Sequence, residues 1–267
     1  MTRGMNNLVD PKTADWLNEK AAYYNNPSFV ETDPVSIPHL FSKKEDIEIS
    51  ALFSALLAWG NRKAIISGAK QLMQRMDNVP FQFVTGHTQK DLKKLQGFVY
   101  RTFNSFDAIT LCEGLKSIYL HEGSMQSVFS KPILRNKNSN AFDAIVHFRN
   151  ILLSYPHEVR FEKHISSPER GSAAKRLNMF LRWMVRRDDR GVDFGLWTDT
   201  FPMSRLLIPL DVHSARVARE TGLLCRKQTD AKAVIEVTEN CRFLDPDDPA
   251  RFDFALFGTG INEKHYF

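Results

Sequence analysis

Apolar residues recur along most of the chain at the three-and-four spacing that gathers them on one face of a helix, and rarely at the alternating spacing of a half-buried strand. From Ile49 onward, Leu52, Phe53, Leu56 and Leu57 mark such a face. Gly60-Asn61 interrupts it, and Ile65, Ile66, Ala69, Leu72, Met73 and Met76 set out a second one. Residues 47–77 are therefore expected to form a helical hairpin with a short polar joint, both halves feeding the core. Further helices are expected within 111–119, 142–153 and 177–187, the middle one capped by Ser139 or Asn140 after the polar loop 136–140. Alternation is confined to short pieces such as Phe81-Gln-Phe-Val84, so the expected fold class is all-α.

Between these helices, residues 156–170 carry turn formers and charges without helical spacing and read as a long connection. Residues 187–191 read as a turn, and Asp245-Pro-Asp-Asp-Pro249 as an acidic cap for a helix beginning near Pro249. No repeat of solenoid length recurs. The organisation expected is a central helical lobe over 45–187 and a second lobe built from 1–44 together with 188–267.

Composition narrows the functional classes only a little. The 267 residues are 43% hydrophobic and 25% charged, an ordinary globular balance with enough length for a substantial core. Lys and Arg number 36 against 31 Asp and Glu, a net charge of +5 that suits a polyanionic partner without requiring one. The three cysteines, Cys112, Cys225 and Cys241, are scattered singly and offer neither a disulfide framework nor a zinc or iron–sulfur spacing. The N-terminal stretch lacks the apolar segment of a secretion signal, and no window is apolar enough to span a bilayer. A cytoplasmic protein, with no membrane partner, metal or cofactor, is the expectation.

Two segments concentrate candidate chemistry. In the helix beginning near Lys175, Leu177, Phe180, Leu181, Met184 and Val185 define the buried face, which sends Lys175, Arg182 and Arg186 to the opposite side as a basic stripe. That stripe is either a solvated helix face or a phosphate-facing surface. In Ile208-Pro-Leu-Asp-Val-His213, Asp211 stands at a helix start, where its carboxylate can accept the backbone N–H of His213 or Ser214. It is either a cap alone or a carboxylate held ionised for catalysis. His157 and His164 have no recognised metal spacing, and Trp59, Trp183 and Trp197 are read first as core.

These segments resemble parts of the helix–hairpin–helix DNA glycosylase superfamily. Ile208-Pro-Leu-Asp-Val-His213 with Arg216-Val217 is similar to its segment bearing the essential carboxylate, and Gly171-Ser-Ala-Ala-Lys175 to its hairpin bearing the nucleophilic lysine. The helical pair from Ile49 to Met73 is similar to its opening helices. A closer likeness, through 171–185, 208–213 and Phe252-Asp-Phe-Ala-Leu-Phe-Gly258, is to a family of uncharacterised bacterial proteins. Against the superfamily pattern, Ala173 replaces the second hairpin glycine, Arg170 replaces a proline, and 188–204 reads as an insertion.

The resemblance implies a two-lobed helical fold with a cleft, Lys175 and Asp211 on its walls, and a flipped base between them. Damaged double-stranded DNA would be held by Gly171, Ser172, Ala173, Arg176, Arg182, Arg186, Asn61, Arg62, Lys63 and His213. The implied function is a DNA repair N-glycosylase, with or without a lyase step. A non-catalytic nucleic-acid-binding protein and a nucleoside- or nucleotide-acting enzyme on the same fold are the alternatives.

Overall fold

The computed structural model describes residues 9–263. The N-terminal stretch read above for a secretion signal lies partly outside them. Among the described residues thirteen α-helices follow in order: α1 Pro11–Tyr24, α2 Pro27–Thr32, α3 Lys44–Leu57, α4 Arg62–Arg75, α5 Pro80–Gly86, α6 Gln89–Leu92, α7 Ser105–His121, α8 Met125–Arg135, α9 Ala141–Ser154, α10 Lys175–Val185, α11 Val212–Glu220, α12 Ala231–Leu244 and α13 Asp253–Asn262. Short 3-10 turns lie between several of them, and one two-stranded hairpin, β1 Val99–Tyr100 and β2 Phe103–Asn104, pairs antiparallel. Among the described residues no helix is long and apolar enough to cross a membrane.

The protein is all-α in the sense its periodicity predicts, and the 47–77 hairpin is present as α3 and α4. Helix α3, however, begins at Lys44 and is buried on every side from Ile47 to Leu57, including Glu48, Ser50 and Ser54. Glu48 is tolerated there because Trp197 Nε1 donates to it at 2.6 Å and Tyr119 Oη at 3.2 Å. Asn140 is the cap of α9, its Oδ1 accepting the Phe142 N–H at 2.8 Å. Phe81-Gln-Phe-Val84 is helical, because Pro80 starts a turn of α5 that buries Phe83 and Val84 together. The connection 156–170 contains two 3-10 turns, Val159–His164 and Pro168–Arg170.

Buried apolar residues form one continuous cluster from Leu17 to Leu256. Helix α10 packs along α3, and α13 is clasped between α1 and α11. Two glycines of α13 make that clasp close. A Cβ on Gly258 would stand 2.2 Å from Tyr24 Cγ of α1, and one on Gly260 would stand 2.9 Å from the His213 carbonyl oxygen of α11.

Candidate active site

The approach to Lys175 is a sharp turn. After Pro168–Arg170, Gly171 adopts φ 86°, Ser172 Oγ accepts the Ala174 N–H at 3.2 Å, and Lys175 opens α10. The Gly171 carbonyl accepts the Ala231 N–H at 3.0 Å, which ties the turn to the start of α12. Ala173, the substitute for the second hairpin glycine, is not left-handed. The left-handed residue is Ala174, with φ 46°, at a cost on the order of 1–2 kcal/mol that its burial in the core offsets.

Asp211 is positioned by the buried run Leu206 to Leu210 and caps α11 as expected. Its two oxygens divide the work. Oδ1 accepts the His213 N–H at 2.8 Å, the Ser214 N–H at 2.9 Å and the Ser214 hydroxyl at 3.2 Å. Oδ2 is thereby turned to Lys175, whose Nζ lies 3.5 Å away, with the lysine side chain 25% and the aspartate side chain 19% exposed. Two groups separated by 36 residues of chain thus meet at a shared, partly open rim.

Phe257 of α13 joins a third segment to this rim. Lys175 Nζ lies 5.4 Å from its ring centroid and the Arg62 guanidinium carbon 5.3 Å from it. Asn61 caps α4, with Oδ1 accepting the Ala64 N–H at 3.3 Å, and Lys63 is exposed beside it. Gly171 is exposed, Ser172 and Ala173 half-buried, and His213 exposed on the first turn of α11.

The other basic candidates lie elsewhere, and the expected stripe is corrected. Arg182 and Arg186 are each 3% exposed. Arg182 pairs with Asp193 at 3.3 Å and with Asp253, while Arg186 pairs with Asp188 at 2.7 Å, Asp193 at 3.2 Å and Asp248 at 2.9 Å. The side of α10 that looked free to face solvent is covered by the 187–193 loop, by the turn before Pro249 and by α13, which bring the acids. Asp248 therefore serves Arg186 rather than capping the next helix. Arg176 is also withdrawn: it donates to the Leu56 carbonyl at 2.5 Å and the His164 carbonyl at 3.3 Å, and lies over the Trp59 ring. Burial holds its guanidinium down at about 10. Trp183 and Trp197 are core residues, fully buried.

Beneath the rim lies a cavity lined by Phe29, Asp33, Lys175, Met179, Arg182, Pro209, Asp253 and Phe257. Its volume, about 10 Å³, matches a single water and not a nucleobase. Lys175 and Asp211 are in contact, so the base expected between them has no space there.

Asp33 and Asp253 escaped the sequence reading. Burial pushes Asp253 up to about 6, against the opposing pull of Arg182, and burial also raises Asp33, against its hydrogen bond from the Val35 N–H. A signal for Asp253 existed: an acid between two phenylalanines in an otherwise apolar run must be paired or protonated if that run is buried. Asp33 before Pro34 reads only as a cap, which it also is.

The fold and rim define an all-α protein with an amine–carboxylate pair seated at two adjacent helix starts. The chain belongs to the family described as protein of unknown function (DUF2400), whose model matches residues 33–262. No curated protein and no solved structure matches it.

Proposed function

We propose that this is a cytoplasmic DNA repair protein whose lyase step, of the kind the N-glycosylase resemblance implies, acts on abasic sugars, Lys175 supplying the amine and Asp211 the carboxylate. The observation that carries this reading is the 3.5 Å approach of Lys175 Nζ to Asp211 Oδ2 at a partly open rim. Arg62 and Lys63 stand at or beside the same rim without an ion pair to any described residue, available to phosphate oxygens.

The chemistry follows from those two groups. A neutral Lys175 amine adds to the C1′ aldehyde of an abasic sugar, the carbinolamine loses water, and an imine forms. Asp211 then removes a C2′ proton, and the C3′–O bond breaks with the phosphate as leaving group. In base excision the same carboxylate would stabilise the positive charge that builds on the sugar as the glycosidic bond opens. An intact base needs a larger chamber than the one beneath Lys175, so the abasic sugar is the better supported substrate.

Borohydride treatment with an abasic duplex is expected to give a covalent adduct that Lys175→Ala abolishes and that Asp211→Asn slows by about 10²-fold or more. Absence of an adduct with Lys175 intact overturns the lyase reading. The small cavity favours one second reading, a non-catalytic DNA-binding protein, which would show salt-dependent duplex binding with no bond cleavage.

A further inference from the structure

The floor under Lys175 is made of two buried acids from different elements. Asp33 comes from the turn before Pro34–Ser36 and Asp253 from the first residue of α13, and both line the small cavity with Lys175 and Arg182. Asp253 Oδ2 takes a hydrogen bond from Arg182. Its Oδ1 has no hydrogen-bond partner among the described residues, although the residue is only 3% exposed. A carboxylate oxygen buried without a donor is costly, which favours a donor in the adjoining space. The cavity is at the lower size limit for one water and has polar groups on several walls.

We propose that this cavity is a water site through which Lys175 passes a proton to Asp253, so that Asp253 is the base that frees the amine for attack. This rests on the reading of Lys175 as nucleophile. Asp211 is already engaged on both oxygens, with three donors on Oδ1 and Lys175 Nζ on Oδ2. Asp253 faces Arg182 and Lys175 from α10, Asp211 from the cap of α11, Asp33 from its turn and Cys241 from α12. Burial there raises its affinity for a proton.

The transfer balances within the cluster. One N–H bond of the Lys175 ammonium breaks and leaves its electron pair on nitrogen. The water accepts that proton and gives another to Asp253 Oδ1, forming an O–H bond, and the summed charge is unchanged. The amine is then neutral beside an ionised Asp211.

The test uses no DNA. The full chain is treated with glycolaldehyde and cyanoborohydride over a range of pH, and alkylated Lys175 is measured by peptide mass mapping. Wild type is expected to be alkylated at Lys175 at least about tenfold faster than Asp253→Asn between about pH 7 and 9, the two converging at higher pH as solvent hydroxide takes over the proton transfer. Asp253→Asn keeps an oxygen for Arg182, and loss of a neighbouring negative charge would by itself make the amine more reactive, so a slower variant reports the relay. Alkylation in that variant as fast as wild type or faster overturns the relay. Should abasic DNA give no adduct while the wild-type advantage persists, the proposed function falls and the relay stands.

Discussion

At its first turn α10 offers Lys175 to Asp211 with both side chains partly in solvent, whereas two turns on it seals Arg182 and Arg186 among four aspartates. Both places pair a basic side chain with aspartate, and the consequences are opposite. In the buried cluster Arg182, Arg186, Asp193 and Asp253 depend on their partners, since water reaches the cluster only at its edge by Asp188 and Asp248, and the cluster locks the 187–193 loop and α13 to α10. At the rim, water carries part of the solvation, so the pair adds little to stability and remains able to exchange a proton or take a substrate. Asp253 belongs to both: one oxygen is held by Arg182, the other has no hydrogen-bond partner among the described residues, and the residue lines the cavity under Lys175.

The sharpest way to break the comparison is Arg182→Ala. It leaves Asp193 and Asp253 buried without their shared cation, and a loss of about 3–5 kcal/mol in urea unfolding is expected. Loss below 1 kcal/mol would mean the cluster is not sealed.

Stability against pH gives the next effect. Asp253 is raised from its ordinary 3.8 to about 6, so the folded state holds its proton more tightly than the unfolded state. That contribution is fully present below 3.8 and is lost as pH rises through about 6. Unfolding free energies of wild type and Asp253→Asn, measured across that window, should differ in slope, with the decline toward higher pH weakened in the variant.

Asp211→Ala removes the cap of α11 and should cost about 1 kcal/mol, while Asp211→Asn keeps an accepting oxygen and should cost less, though both lose activity. Gly171→Ala should cost a similar amount, about 1 kcal/mol, through backbone strain alone, because a Cβ there would meet nothing within 4 Å. Lys175→Ala should change the melting free energy by less than about 1 kcal/mol while abolishing the trapped adduct. A large stability loss in that last variant would move Lys175 from the reactive to the structural side of the comparison.

The helices of the hairpin and the cap at Asp211 were legible because each is written in a few neighbouring residues, and the turn before Lys175 only through the resemblance. The burial of Arg182 and Arg186 was not. Their face of α10 carries polar residues in the pattern of a solvent side, and the acids that enclose them lie at 188, 193, 248 and 253. Glu48, in a helix buried all round, was hidden for the same reason, since its partner Trp197 is 149 residues away. A helical wheel reports which side is apolar, but it contains no information about what covers the other side.

The order of side chains along the chain was sufficient to set the helical character and the cap at Asp211, since hydrogen bonding and periodicity act over one or two turns; Lys175 and Asp211 were brought together as a pair only by the resemblance. Their meeting at 3.5 Å, the size of the space beneath them and the fate of each arginine were decided by packing between distant segments. Solvation makes that decision: a positive charge stays partly open to water at the rim, and is held by counter-charges alone where packing buries it.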